Sequence, residues 1–259
     1  MRRRWHWLQV VAVACATERR DASTSIAAAV ASFNEDAAAR VPAPRVRSAV
    51  VLSGYLRTGV FEDVVANWRR LILEPLGGCD LFWPVAEAEA TAAVVVKKTL
   101  RALRGSVSHA TVAVADEARF KRLERNCSGT VDATANGVKL RNCLPLRAQF
   151  FGLGVAFSRV AEREAALGAT YEWVLKIRGD MIHARPLPPV ETWNDAPRAV
   201  YLDERSWQEP CSKGRSPCRC LCVGDRFIIA PRALAPTVFG VADRALADDG
   251  CASISRCPR

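Results

Sequence analysis

The chain has 259 residues, half of them hydrophobic and a quarter charged, with a formal net charge of +10. That length and apolar share can bury a core of the larger single-domain kind, and they exclude disordered and collagen-like classes. The arginines are scattered among acids, as at Arg69-Arg70 and Arg119, Arg122 and Arg125, with no basic stripe interleaved with aromatics. This distribution excludes nucleic acid as the expected partner and suits an anionic small molecule.

At the start of the chain, Arg2-Arg3-Arg4 precedes the apolar run WLQVVAVACA, and Ala14-Cys15-Ala16 supplies small residues for cleavage. Residues 1–16 are therefore expected to be a secretory signal peptide. The run is about half the roughly 20 residues that a spanning helix needs, so a short anchor is the second reading. Membrane association is expected only if this segment stays uncleaved. The expected location is the lumen of the secretory pathway (Golgi or ER), or outside the cell. Residues 17–45 read as an Ala-rich stem or a helix of low information, closed by Pro42 and Pro44 as a linker. The folded domain is expected over 46–259.

From Val46 strands alternate with helices. VRSAVVLSG reads as a buried strand running into a turn. FEDVVANWRRLILEPLGG places Phe61, Val64, Val65, Trp68, Leu71 and Ile72 at helical spacing, with Pro75 and Gly77-Gly78 as its end. CDLFWPV predicts a second strand, ATAAVVVKKTLRALRG a helix and HATVAVAD a third strand. A long helix follows, with Phe150, Leu153, Phe157, Val160 and Ala161 on one face and Gly168 as its stop. Next come the strand YEWVLKIRGDMI, then RAVYLDE, a cysteine-rich loop, the strand DRFIIAP and a final helix. The expected fold is α/β, a single domain built on a mainly parallel central sheet with helices on both faces.

Ten cysteines suit an oxidising compartment; ten less Cys15 leaves nine, so at least one is unpaired. Disulfide-rich loops are expected, with Cys127 and Cys143, and Cys251 and Cys257, as candidate pairs. Cys211, Cys218, Cys220 and Cys222 do not have the spacing of a zinc knuckle. His6, His109 and His183 stand apart from one another.

Candidate chemistry lies where apolar strands end in polar residues, since open α/β sheets bind ligands at the carboxyl ends of their strands. Ser53 and Gly54 allow a tight turn with amides open to an anion, and Arg57 is placed to grip a phosphate. In YEWVLKIRGDMI, alternation puts Tyr171, Trp173, Leu175 and Ile177 on one face, and Glu172, Val174, Lys176, Arg178 and Asp180 on the other. Polarity rising toward the ligand end predicts that Lys176, Arg178 and Asp180 line a cleft for a charged ligand. Asp225 and Arg226 precede the strand FIIAP and offer a second carboxylate near the same cleft. The tripeptide Arg178-Gly179-Asp180 invites the other reading, a cell-adhesion signal in an exposed loop.

These segments resemble GT-A-type glycosyltransferases, and are similar more narrowly to WavE-like lipopolysaccharide-synthesis proteins and uncharacterised plant and algal relatives. The resemblance is carried by Ser53-Gly54-Tyr55-Leu56-Arg57, Tyr171-Glu172-Trp173 through Arg178-Gly179-Asp180, and Gly224-Asp225-Arg226-Phe227, in that order. It implies transfer of a sugar from a nucleotide-sugar donor to a glycan or lipid acceptor. It also implies a divalent cation (Mn or Mg) held by carboxylates, with Asp180 as the metal or donor-ribose residue. Arg178, Arg57, Lys176 and Arg226, with Ser53 and Gly54, would contact donor phosphate. Asp225 would act as base or second carboxylate. The pattern departs from Asp-x-Asp, because Arg178 stands where the first acid would lie, and one carboxylate holds a divalent ion poorly. The alternative function is a non-catalytic, disulfide-stapled secreted protein that binds carbohydrate or mediates adhesion.

Overall fold

The structure is a computed structural model, and it describes residues 22–39, 48–53, 62–85, 90–114, 134–135, 138–139, 143–193, 199–202 and 227–240. The expected signal segment, Gly54, Arg57, Asp225, Arg226 and the loop cysteines Cys127, Cys211, Cys218, Cys220, Cys222, Cys251 and Cys257 lie outside the described residues. Among the described residues no helix is long and apolar enough to cross a membrane.

The first described element is helix α1 over 22–39. The Ala-rich segment is thus helical, and it buries Ile26 and Phe33 in the main apolar cluster. Strand β1 (Ser48–Ser53) is buried at every position, as its unbroken apolar run demands. Helix α2 (Glu62–Trp68) continues into a π-helical turn over Arg69–Leu73 and a short 3-10 turn over Glu74–Leu76. The cause is Pro75, which has no N–H to bond back to the carbonyl of Leu71. Gly77, at φ 66°, ends the segment in the left-handed conformation that glycine tolerates best.

Strand β2 (Cys79–Val85), helix α3 (Ala90–Ala102) and strand β3 (Val107–Val114) follow. A two-stranded antiparallel ribbon, β4 (Thr134–Ala135) with β5 (Val138–Lys139), stands apart from the main sheet. The long helix α4 (Cys143–Leu167) is followed by Gly168 at φ 61°. Then come β6 (Trp173–Arg178), β7 (Tyr201–Leu202), β8 (Phe227–Pro231) and the short helix α5 (Ala235–Phe239).

Six strands form one sheet in the order β3-β2-β1-β6-β8-β7. The strands β3, β2, β1 and β6 run parallel, while β8 is antiparallel to β6 and β7 antiparallel to β8. Both faces are covered. On one, Leu52, Leu81, Leu175 and Ile177 pack with Trp68 and Ile72 of the α2 segment and Leu100 of α3. On the other, Val51, Phe82, Val174 and Ile228 pack with Leu153 and Val160 of α4 and Phe239 of α5. The α/β expectation therefore holds, with a parallel core and an antiparallel flank. At the outer strand β3, the Asn34 amide of α1 donates to Ala110 O (3.0 Å), and its Oδ1 accepts from Ala110 N (2.8 Å).

One alternation reading needs correction. Tyr171 does not share the face of Trp173, Leu175 and Ile177; it packs in the cluster under α4. The strand begins only at Trp173, so the period of two does not reach back to Tyr171. Its ring meets Phe82 edge-on at 6.0 Å, and its hydroxyl donates to Asp80 Oδ2 at 2.7 Å.

That hydrogen bond belongs to a polar network at the amino-terminal rim of the parallel strands. Asp80 is fully buried and also accepts from Arg163 Nε at 3.1 Å, while its Oδ1 has no hydrogen-bond partner. One residue along α4, Glu164 accepts from Arg232 Nε and Nη2, both at 2.7 Å, and from Tyr171 N at 3.0 Å. Through these two residues α4 fastens β2, the entry to β6 and the exit of β8. Burial, then the charge of Asp80, raises the pKa of the Tyr171 phenol. The same two causes raise that of the Cys79 thiol, a free cysteine, and keep it protonated and unreactive.

Tyr171→Phe leaves the buried Asp80 with one donor fewer, and should lower the unfolding free energy by about 2 kcal/mol in a urea titration. His109, opposite Asp80 in the strand register, has its pKa lowered by burial and next by Arg163. Its unfolded form therefore takes up a proton more readily than its folded form. Stability should fall as pH drops below the usual imidazole value of 6.5, and His109→Gln should flatten that slope.

Candidate functional site

From β1 the chain builds outward through β2 to β3, then returns to place β6 on the other side of β1. The carboxyl ends of β1 and β6 therefore flank a switch point of the strand order, the position at which open α/β sheets generally bind ligands. The register puts Ser53, the last residue of β1, opposite Arg178, the last residue of β6. Of the residues singled out by rising polarity, Arg178 ends β6 at this switch point and Asp180 follows in the turn.

At this rim Arg178 and Asp180 hold each other. Arg178 Nε donates to Asp180 Oδ1 at 2.8 Å, and Nη2 donates to Oδ2 at 2.5 Å. The side chains are 26% and 27% exposed, so the pair is neither buried in the core nor free in water. A two-point fork of this kind fixes the plane and orientation of the guanidinium.

The other predicted residues have different placements. Ser53 is buried, its Oγ 3.4 Å from Ile177 O, and its own carbonyl accepts from Gly179 N at 2.8 Å. It fastens the two strand ends together. Lys176 is 1% exposed and sits within the sheet between Val51 and Ile228 in register, interior to the rim where Arg178 and Asp180 lie. Of the residues outside the described ones, Gly54 and Arg57 follow Ser53 in sequence, and Asp225 and Arg226 precede Phe227, which pairs with Ile177.

The turn after β6 is held from one side by the α2 segment. Trp68 Nε1 donates to Met181 O at 2.8 Å. Asn67 grips the His183 backbone twice, donating Nδ2 to the carbonyl at 3.0 Å and accepting the N–H on Oδ1 at 2.8 Å. Further on, Leu187 N donates to Leu71 O at 2.8 Å, the carbonyl that Pro75 leaves without a helical partner. The His183 ring meets Phe227 at 5.6 Å and ties the turn to the start of β8. Sequence reasoning missed Asn67, Trp68 and His183. Only Pro75, four residues after Leu71, signalled an open carbonyl.

Among the described residues the carboxylates do not gather into a divalent-cation site. Both oxygens of Asp180 lie in the Arg178 fork, and among the described residues no three His, Cys, Asp or Glu side chains converge. A cation would have to displace a charge-assisted pair to reach one carboxylate. What this rim holds instead is a guanidinium fixed against a carboxylate at a strand switch point.

No protein-family model matches the chain, so the WavE-like resemblance has no counterpart there, and no curated protein matches it. Among solved structures the chain is similar to the apo form of mouse xyloside xylosyltransferase 1. The identity is 12% and the TM-score 0.39, over 82% of this chain and 75% of that one.

The mutual pairing of Arg178 and Asp180 bears on the adhesion reading, because a tripeptide recognised by a receptor must present both charges outward. Gly179 is buried, and a Cβ there would meet Ser53 O at 3.6 Å and Leu52 and Trp68 atoms at 3.7 Å, ordinary contacts. Gly179→Ala should keep the thermal midpoint within about 3 °C, the shift produced by roughly 1 kcal/mol. Arg178→Ala should leave cell attachment to a surface coated with the protein unchanged; a drop in attachment would restore the adhesion signal.

Proposed function

We propose that the chain is a glycosyltransferase that binds a nucleotide-sugar donor across the carboxyl ends of β1 and β6. The observation that carries this reading is the Arg178–Asp180 fork set opposite Ser53 at the switch point. Nucleotide donors combine a diphosphate with a ribose and a sugar, so they need a fixed cation for the phosphates and an acceptor group for the hydroxyls. Arg178 is the phosphate contact and Asp180 the hydroxyl contact.

In the transfer step an acceptor hydroxyl oxygen bonds to the anomeric carbon while the bond from that carbon to the diphosphate oxygen breaks. The electron pair leaves with the diphosphate, whose growing charge the Arg178 guanidinium stabilises. The acceptor proton passes to a base, for which Asp225 is the candidate from the sequence pattern. Arg57, Gly54 and Arg226 enter as further phosphate contacts on the same ground, and the acceptor is a glycan or lipid hydroxyl. Work in the secretory lumen fits the amino-terminal sequence and belongs to the same proposal.

The test is release of nucleoside diphosphate by the purified protein over a panel of nucleotide sugars, with and without manganese. Turnover of at least one donor is expected. Asp180→Asn should cut it by about a hundredfold, the scale for losing one preorganised polar group, with the thermal midpoint retained. Neither binding nor turnover of any donor by the wild-type protein would overturn the proposal.

A further inference from the structure

Asn67 lies on α2, a segment that the donor-site reading does not use, yet it makes two hydrogen bonds to a backbone 116 residues away. Both partners belong to His183, three residues after Asp180. The neighbouring Trp68 holds Met181, the residue immediately after Asp180. Gly179, immediately before it, is held by Ser53. Asp180 therefore sits in a turn whose backbone is pinned on either side, and α2 supplies the pins beyond Asp180.

An asparagine amide matched to the N–H and C=O of one residue imitates a strand partner, and fixes both position and tilt of that peptide. Aspartate has the same shape but cannot donate to the carbonyl, so the two hydrogen bonds act as one unit that only the amide completes. Ile182, within the pinned turn, is 65% exposed, so little packing of its side chain holds this point in the chain. Position here rests on these hydrogen bonds together with the His183 ring against Phe227.

We propose that Asn67 is a positioning residue for the donor site, acting through the backbone of His183 to hold Asp180, and with it Arg178, in place. The inference rests on the donor-site reading above. A small displacement of a reacting or orienting group is enough to lower turnover by about tenfold to a hundredfold.

The molecule contains its own control. Asn34 makes the same pair of bonds, at the same distances of 3.0 and 2.8 Å, to Ala110 on the far outer strand. A structural role alone would make Asn67→Ala and Asn34→Ala behave alike. The experiment measures kcat and KM for donor turnover, affinity for the nucleoside diphosphate and thermal midpoint in the wild type, Asn34→Ala, Asn67→Ala and Asn67→Asp. Expected are similar midpoint losses in the two alanine variants, wild-type kcat in Asn34→Ala, and a kcat about tenfold or more lower in both Asn67 variants. Should Asn67→Ala misfold, the isosteric Asn67→Asp carries the comparison. Equal kcat in the Asn34 and Asn67 variants overturns the positioning role and leaves the donor-site reading standing. A wild-type protein that binds no nucleotide and turns over no donor overturns both.

Discussion

Insertion of β6 against β1 brings together residues 124 positions apart, as in the Ser53 contact with Ile177, and the rest of the architecture depends on that parallel ladder. Closing so long a loop is entropically unfavourable and is compensated only when the apolar surface on both faces of the ladder is buried together. Leu52, Leu175 and Ile177 meet that condition on one side and Val51 and Val174 on the other. The ladder also sets where chemistry can occur. It puts the ends of β1 and β6 side by side, Ser53 opposite Arg178.

Two clusters of acids and arginines lie at opposite rims of the sheet, and their fates differ because of what covers them. At the amino-terminal rim the α4 residues Arg163 and Glu164 reach Asp80, Tyr171 and Arg232, and the charges are consumed in tying helix to sheet. Breaking one partner there strands a buried charge, which makes the network structural. At the carboxyl-terminal rim Arg178 and Asp180 keep about a quarter of their surface open. The same chemical types act as rivets where buried and pair with each other within reach of solvent where half-exposed.

Local pattern made much of this legible. The apolar runs marked β1, β2 and β8, polarity rose along β6 toward its carboxyl end, and glycines after α2 and α4 marked where helices stop. What failed did so where a local rule was extended past the element that justifies it, as with Tyr171 ahead of β6. Lys176 read as a cleft residue because alternation reports which face a side chain takes and not how deep it lies along the strand. Asp80 hid inside an apolar strand, since its partners come from a helix far along the chain. Asn67 was illegible for the same reason: a polar residue on a half-exposed helix position looks ordinary until the backbone it serves is known. Gly54, Arg57, Asp225 and Arg226, outside the described residues, remain readings of the sequence.

The contact of Asn34 with Ala110 has a consequence for how copies of this protein meet one another. An outer strand is a template for sheet growth between molecules, through backbone groups that face outward. Here a side-chain amide answers those groups at Ala110, and helix α1 lies alongside the strand. At Ala110, therefore, the outer strand has no open backbone pair to offer a neighbouring molecule, and sheet growth at that point would first have to displace Asn34.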